Sequence, residues 1–396
     1  MHITFRTFTS RDGDCLFLTL TDNDEKFVIM TDCGSFEETI EKYVREDCNS
    51  HINLLIVTHI DRDHICGLTK MINDVANLSI DKIIYNSYKR KSGPKRKLTK
   101  KEKEWLDSIR PEIQPVAIDV IEHGISAEQA IELASAILSK SQLKGKWEPD
   151  VRLHKGCSIS FDKWGIIKFV SPEENDIEAL DEVFYETFYK LLYFDAAKVS
   201  LNKGESIYEL ILRYVDAYHQ EEQETNISFD NFSAEEIIQY AKKPSPTNGI
   251  TPSNNASLAY VWESSDKKHR ILILGDSNPD TVVKGLLDVY PDERRPLIMD
   301  AIKVSHHGSH YNTTNELMRQ VDSRHFFFTG GAEGVRPHEN TIAKIISSPV
   351  SDVIKCRTLH FNFMTSLIEN IKNNHKLQKE YHFECDTTKN IYEFDI

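Results

Sequence analysis

Residues 52–64 read Ile-Asn-Leu-Leu-Ile-Val-Thr-His-Ile-Asp-Arg-Asp-His. The apolar run Ile52–Val57 has the length and composition of a buried strand, and the polar residues begin where it ends. His59, Asp61, Asp63 and His64 then put four metal-competent side chains within six residues. A tight loop at a strand exit can aim His59 and Asp61 at one ion and Asp63 and His64 at a second. Such crowding of ionisable groups costs free energy unless a cation offsets it. The plainer reading is a solvated acidic loop with two chance histidines, and it weakens as matching segments accumulate downstream.

Those segments come in order. Gly13-Asp14-Cys15 precedes the apolar Leu16–Leu20, and Ile29-Met30-Thr31-Asp32-Cys33-Gly34 ends a strand in Asp-x-Gly. Asn254-Asn255-Ala256-Ser257-Leu258, Leu274-Gly275-Asp276 and Lys303-Val304-Ser305-His306-His307-Gly308-Ser309 follow. The loop spacing, His-x-Asp-x-Asp-His with Gly67 beyond it, together with this ordered set resembles the metallo-β-lactamase superfamily. The superfamily usually has His where this chain has Asp61. The Asp variant is similar to the soluble hydrolase domain of competence-type DNA-uptake channels and to stand-alone cytoplasmic relatives. The matches cover roughly residues 1–85 and 250–345.

The resemblance implies an α/β fold, an αββα metallo-β-lactamase sandwich, here with a helical insertion. It also implies two divalent metal ions held by His59, Asp61, Asp63, His64, Asp276 and His306. Asp276, at the end of the strand Arg270–Leu274, would bridge both ions, and His306 would complete the second. His307 is the alternative ligand, otherwise left to orient substrate or touch a phosphate oxygen. Asp32 would orient a ligand histidine from behind, or simply form a turn before Gly34. Two cations about 3.5–4 Å apart can hold a hydroxide between them and lower the pKa of the bound water toward 7. With Asp61 replacing an imidazole the first site is harder, so Mn²⁺ competes with Zn²⁺.

The chain also departs from the family pattern. Cys66 stands where relatives have Gly, and no counterpart of the third-strand His ligand is found. Relatives carry His-Pro near the C-terminal end, whereas this chain has Arg336-Pro337-His338. Arg336 can grip a phosphate with two parallel N–H groups but cannot act as a general acid. His338 is the candidate to replace that acid. The catalytic set expected from sequence is therefore Asp63, His307, Arg336 and His338.

Charge and composition narrow the partners. A net charge of −14 over 396 residues argues against a chain that coats nucleic acid unspecifically. Yet residues 89–103, KRKSGPKRKLTKKEK, hold nine Lys or Arg against one Glu. Lys89, Arg90, Lys91, Lys95, Arg96 and Lys97 head this segment, which reads either as a phosphate-contacting patch or as a solvated loop. Seven scattered cysteines without a Cys-x-x-Cys pair suggest reduced thiols in a cytoplasm. No 18-residue apolar run occurs, so no membrane span is expected, and Met1–Arg6 lacks a signal-peptide layout.

Strand-like stretches fall at 2–9, 14–21, 26–32, 52–57, 82–85, 158–161, 166–170, 257–263, 270–274, 300–304 and 325–329. Helical stretches follow at about 36–46 and 65–78, with a capping-box start at Ser126–Gln129 and another at Ser233–Glu236. The expected organisation is a first half at 1–171, a helical insertion or cap at 172–245, and a second half with a C-terminal extension at 246–396. The leading functional expectation is a cytoplasmic phosphodiesterase, a nuclease by substrate, using metal-bound hydroxide. A lactone or thioester hydrolase is the alternative of the same fold. A third reading is a regulatory subunit of a bacterial defence system, with a weakened metal site and a protein partner from the same operon.

Overall fold

The computed structural model describes residues 1–10, 13–87, 127–181, 233–330, 336–388 and 390–395. Among these residues fourteen strands form two mixed sheets, with helices between them in sequence. The first sheet holds β1 (His2–Thr7), β2 (Leu16–Asp22), β3 (Glu25–Thr31), β4 (His51–Val57) and β5 (Ser79–Tyr85). Its edge beside β1 is β14 (Ile391–Asp395). The second sheet holds β6 (Ser158–Ser160), β7 (Ile166–Ser171), β8 (Ala259–Glu263), β9 (Arg270–Ile273), β10 (Leu297–Lys303), β11 (Val321–Phe328), β12 (Arg357–Phe361) and β13 (Phe383–Asp386), in the reverse of that order.

The apolar pattern of each strand says which faces it covers. β1 alternates buried residues with half-buried or exposed ones. β4, like β1 next to an edge strand, is instead continuously apolar at its carboxyl end, where Leu55 and Val57 face the helices and Leu54 and Ile56 the second sheet, all four buried. One cluster joins the facing sides of the two sheets, with Phe5, Leu18, Ile29 and Ile56 from the first and Phe169, Trp262, Ile273 and Phe327 from the second. A second cluster packs the other face of the first sheet on the helices Arg62–Asp74 and Ala127–Ser139. The third packs the other face of the second sheet on Pro279–Val289, Glu339–Ser347 and Ser366–Asn373. Removing these faces from water is the main favourable contribution to the fold.

Strand direction decides where the polar loops collect. β3, β4 and β5 run parallel, as do β9, β10 and β11, so their carboxyl ends lie at one end of each sheet. β2 runs antiparallel to β3, and β8 to β9. The residues just before β2 and β8 therefore reach the same end as those just after β3, β4, β9 and β10. Asp14, Asp32, His59–His64, Ser257, Asp276 and His306–His307 all occupy such positions.

Each strand expected from sequence is present, with shifted ends. The C-terminal extension contributes three more, β12, β13 and β14. The sheets also partition the chain differently from a 1–171 and 246–396 division, since β6 and β7 belong to the second sheet and β14 to the first. Of the expected insertion, residues 174–181 and Ala234–Lys242 are helical, the latter with the anticipated Ser233–Glu236 capping box. The stretch Phe184–Tyr193, Ser126 and the whole basic segment 89–103, with Lys89, Arg90, Lys91, Lys95, Arg96 and Lys97, lie outside the described residues. No helix among the described residues is long and apolar enough to cross a membrane. All seven cysteines are free thiols.

Candidate metal centre

The loop after β4 is held from beneath by two glycines. A Cβ on Gly13 would lie 1.9 Å from the Asp63 carbonyl oxygen, and one on Gly34 would lie 2.1 Å from it. Only a residue without a side chain permits that approach. It allows the Asp14 amide to donate to Asp63 O at 3.0 Å and the Cys33 amide to His64 O at 2.7 Å. Gly67 then lets the helix Arg62–Asp74 lie on Cys33, whose carbonyl accepts from the Gly67 amide at 2.8 Å. The Gly-Asp and Asp-x-Gly motifs thus brace the loop that carries the ligand candidates.

Asp32 fixes that loop from the end of β3. Fully buried, its carboxylate accepts from the Thr58 amide at 2.7 Å, the Thr58 hydroxyl at 2.6 Å and His64 Nδ1 at 2.8 Å. The last bond leaves His64 Nε2 facing inward, 3.4 Å from Asp276 Oδ1 and 3.6 Å from Asp63 Oδ2. His59 is turned the same way, its Nδ1 lying 3.0 Å from the Thr58 hydroxyl and 3.4 Å from Ser257 Oγ. Its Nε2 sits 3.5 Å from Asp61 Oδ2 and 3.8 Å from Asp276 Oδ2. Ser253 in turn donates to Asp61 Oδ1 at 2.7 Å.

From the second sheet come Asp276 and the two adjacent histidines. Ser257 Oγ accepts from the Asp276 amide at 3.0 Å, which sets the carboxylate between the histidines of the loop. His306 and His307 both adopt left-handed backbone angles, φ 49° and 54°, as does Asp32 at 56°. Outside glycine such angles cost on the order of 1 kcal/mol or more and concentrate at functional sites. The turn sends the two rings to opposite sides of Asp276. His306 Nε2 stands 3.5 Å from Asp276 Oδ2, with its Nδ1 against Asn312 Oδ1 at 3.0 Å. His307 donates from Nδ1 to the Thr329 carbonyl at 2.7 Å and places Nε2 2.9 Å from Asp63 Oδ2.

The expected ligands therefore fall into two groups about Asp276. Asp63, His64, Asp276 and His307 offer donor atoms within 4.8 Å of one another. On the other oxygen of Asp276 are His59 and His306, with Asp61 beside His59. His307, rather than His306, joins the Asp63–His64 side, and the exchange follows from the left-handed turn. Asp14, Asp32 and His64 form a further set of groups within 4.8 Å.

Sequence reasoning did not nominate Asp14 or Lys303 for the site, although both lie in quoted motifs. Each is fully buried, and the Lys303 ammonium is paired with Asp14 Oδ2. Asp14 also accepts from the Thr329 hydroxyl and lies 3.4 Å from His307 Nδ1. Lys303 donates to Gly275 O at 3.2 Å. This buried pair ties the start of β2 to the end of β10 beneath the centre. Asn312, donating to the Asp276 carbonyl at 2.8 Å, was likewise unmarked.

Charge explains the protonation pattern. Burial raises the Asp276 and Asp63 carboxyls, but the surrounding imidazoles overcome it and hold both well below the usual range. Burial lowers His64, yet Asp276, Asp63 and Asp32 outweigh it and drive its pKa well above normal. His307 behaves alike, raised to about 9 by Asp14 and Asp63 against its burial. His306 goes the other way, lowered to about 3 by burial and by Arg336. Lys303 is held charged by Asp14, Asp276 and Asp32 against its burial, so that three of the carboxylates share one ammonium.

The two remaining candidates lie on the rim. Arg336 acts electrostatically on His306. His338 caps the helix Glu339–Ser347, its Nδ1 accepting from the Asn340 amide at 3.2 Å. Burial and the nearby Lys243 and Lys344 lower its pKa to about 4. The neutral ring at neutral pH offers Nε2–H as a donor.

His59 Nε2, His64 Nε2 and Asp276 Oδ1 are all buried without a hydrogen-bond partner. Leaving such atoms unsatisfied is costly, and a coordinated cation satisfies all three together. The His/Asp donor set suits a divalent ion. Compared with protein-family models and with curated proteins, the chain finds no match.

Proposed function

We propose that this chain is a metal-dependent hydrolase on a metallo-β-lactamase αββα sandwich, acting on phosphodiesters and specifically on nucleic acid. The observation that carries the reading is the convergence of His59 Nε2, His64 Nε2 and Asp276 Oδ1, three buried and unpartnered donors from both sheets. Asp63, His64, Asp276 and His307 would hold one divalent ion, and His59, Asp61, Asp276 and His306 the other, as Zn²⁺ or Mn²⁺. Bound ions of this kind supply an acidified water and positive charge opposite a developing oxyanion.

The protein's own groups do the rest. Asp32 keeps His64 Nε2 turned inward through its bond to Nδ1, so that a bound cation would take the place of the Nε2 proton. Thr329 does the same for His307. The Asp14–Lys303 pair ties both sheets together under the site. Arg336, on the rim beside His306, is suited to grip a non-bridging phosphate oxygen. Supporting the nucleic-acid substrate is the basic segment 89–103.

Metal analysis of the purified protein, with hydrolysis of DNA, RNA, a small phosphodiester, a lactone and a thioester, tests the reading. Bound divalent metal and chelator-sensitive cleavage of the phosphodiesters are expected. A protein that retains no divalent ion would remove the metal-hydrolase reading, and turnover confined to the lactone or thioester would remove the substrate class.

A further inference from the structure

Away from the metal cluster, a buried cation stands without a counterpart among the described residues. Lys344, on the helix Glu339–Ser347, is 1% exposed, and its Nζ has no hydrogen-bond partner. A charged ammonium is not left in that state cheaply; it needs an anion or must lose its proton. Burial alone accordingly lowers its pKa to about 8, which still leaves it mostly protonated at neutral pH.

Its place on the helix shows what it faces. Thr341, three residues earlier and so on the same face, donates to the Ser309 carbonyl at 2.9 Å. That face therefore meets the loop running on from His306 and His307. His310, next to Ser309, lies with its ring 4.5 Å from that of His338, which begins the helix. The His338 amide donates to Gly308 O at 3.0 Å, locking the two segments together. Lys344 lies close enough to depress both His310 and His338 electrostatically, and Arg336 acts on His310 as it does on His306. Two cations, Lys344 and Arg336, and the neutral imidazoles of His338 and His310 thus form a strip of hydrogen-bond donors that ends beside His306. Glu339 is the carboxyl bordering it, 3.4 Å from His338 Nδ1, and burial raises its pKa toward the neutral form.

We infer that this strip is an anion subsite in which Lys344, His310, His338 and Arg336 bind a phosphate group. Placing there the phosphate that neighbours the scissile bond of a nucleic-acid strand rests on the hydrolase reading above; the subsite itself does not. A chain substrate would then be held at two phosphates, one at the Asp276 cluster and one on the strip, and gripped more tightly than a single phosphodiester.

The test uses full-length protein and inorganic phosphate, with binding read by calorimetry. It compares the parent with Lys344→Met, which removes the charge but keeps an unbranched side chain, and with Asp63→Ala, which disables the metal cluster. Phosphate is expected to bind the parent and Asp63→Ala alike, and to bind Lys344→Met at least tenfold more weakly. Because the substitution removes an unpaired buried charge, the thermal midpoint of Lys344→Met should equal or exceed the parent's, so misfolding would be visible. Equal affinity in Lys344→Met and the parent would overturn the subsite, as would loss of binding in Asp63→Ala, which would put the phosphate on the metals. The measurement needs no turnover, so an inactive enzyme would count against the hydrolase reading and leave this result standing.

Discussion

His307 Nε2 stands 2.9 Å from Asp63 Oδ2, joining residues 244 positions apart and from different sheets. Each has a second anchor behind it: the Thr329 carbonyl for His307, and the glycine-braced Asp63 backbone. The contact makes Asp63 the place where the two halves of the centre meet.

Replacing Asp63 by Ala is therefore expected to abolish hydrolysis and remove at least one equivalent of bound metal. Its side chain is 31% exposed and contributes charge rather than apolar burial, so the fold should persist. Metal content, circular dichroism and turnover measured together check this. Parent-level cleavage by the variant would eliminate a mechanism through this cluster.

Lys303→Met should be far more damaging to stability. It strands the buried Asp14 carboxylate without its ammonium, a change worth roughly 3–5 kcal/mol. Adding Asp14→Asn should restore part of the loss, because the stranded charge goes with it. Urea midpoints of the two variants, taken in chelator so that metal binding does not enter, decide the matter; a loss below about 1 kcal/mol in the single variant, the size of an exposed pair, contradicts the account.

A pH effect should appear at His325, which lies beside His360. Burial and the adjacent His360 lower its pKa from 6.5 to about 3. Its Nδ1 lies 2.9 Å from His360 Nε2, a contact in which one nitrogen must donate and the other accept. A histidine held neutral in the fold takes up its proton on unfolding. Its contribution is thus complete above pH 6.5 and is lost as the pH falls toward about 3. His325→Asn should flatten the fall in urea midpoint across that window, and an unchanged slope would rule the residue out.

Salt dependence tests the segment 89–103. If it guides a polyanion, affinity for DNA or RNA should drop by roughly 0.7–0.9 log units per log unit of salt for each phosphate contacted. Neutralising Lys95, Arg96 and Lys97 should flatten that slope while turnover of a small phosphodiester hardly changes. Salt-insensitive cleavage would mark the segment as a solvated loop.

The loop at His59–His64 was legible because its chemistry is concentrated in one stretch and follows a clear apolar strand. Asp276 and the His306–His307 pair were legible as motifs, but the side each histidine serves was not. It depends on consecutive left-handed residues, and nothing in Ser-His-His-Gly announces two positive φ angles. Two of the last strands were hidden for different reasons. β12 begins with Arg357, normally a surface residue. Here its guanidinium is buried against Asp322 and the carbonyls of Ile345, Ser348 and Pro349, none of them its neighbours in sequence. β13 has only four residues, too few to show a period. The Asp14–Lys303 pair was missed because a buried ion pair leaves no local trace when its partners lie on separate strands.

The pairing of β1 with β14 sets His2 opposite Asp395. A ribosome delivering this chain would release β1 long before its outer neighbour existed, and the hydrogen-bonding edge of the first sheet would stay open until Ile391–Asp395 emerged. Exposed edges of that kind invite pairing with other chains. The pairing joins residues 393 positions apart, and contacts of such sequence separation are slow to form.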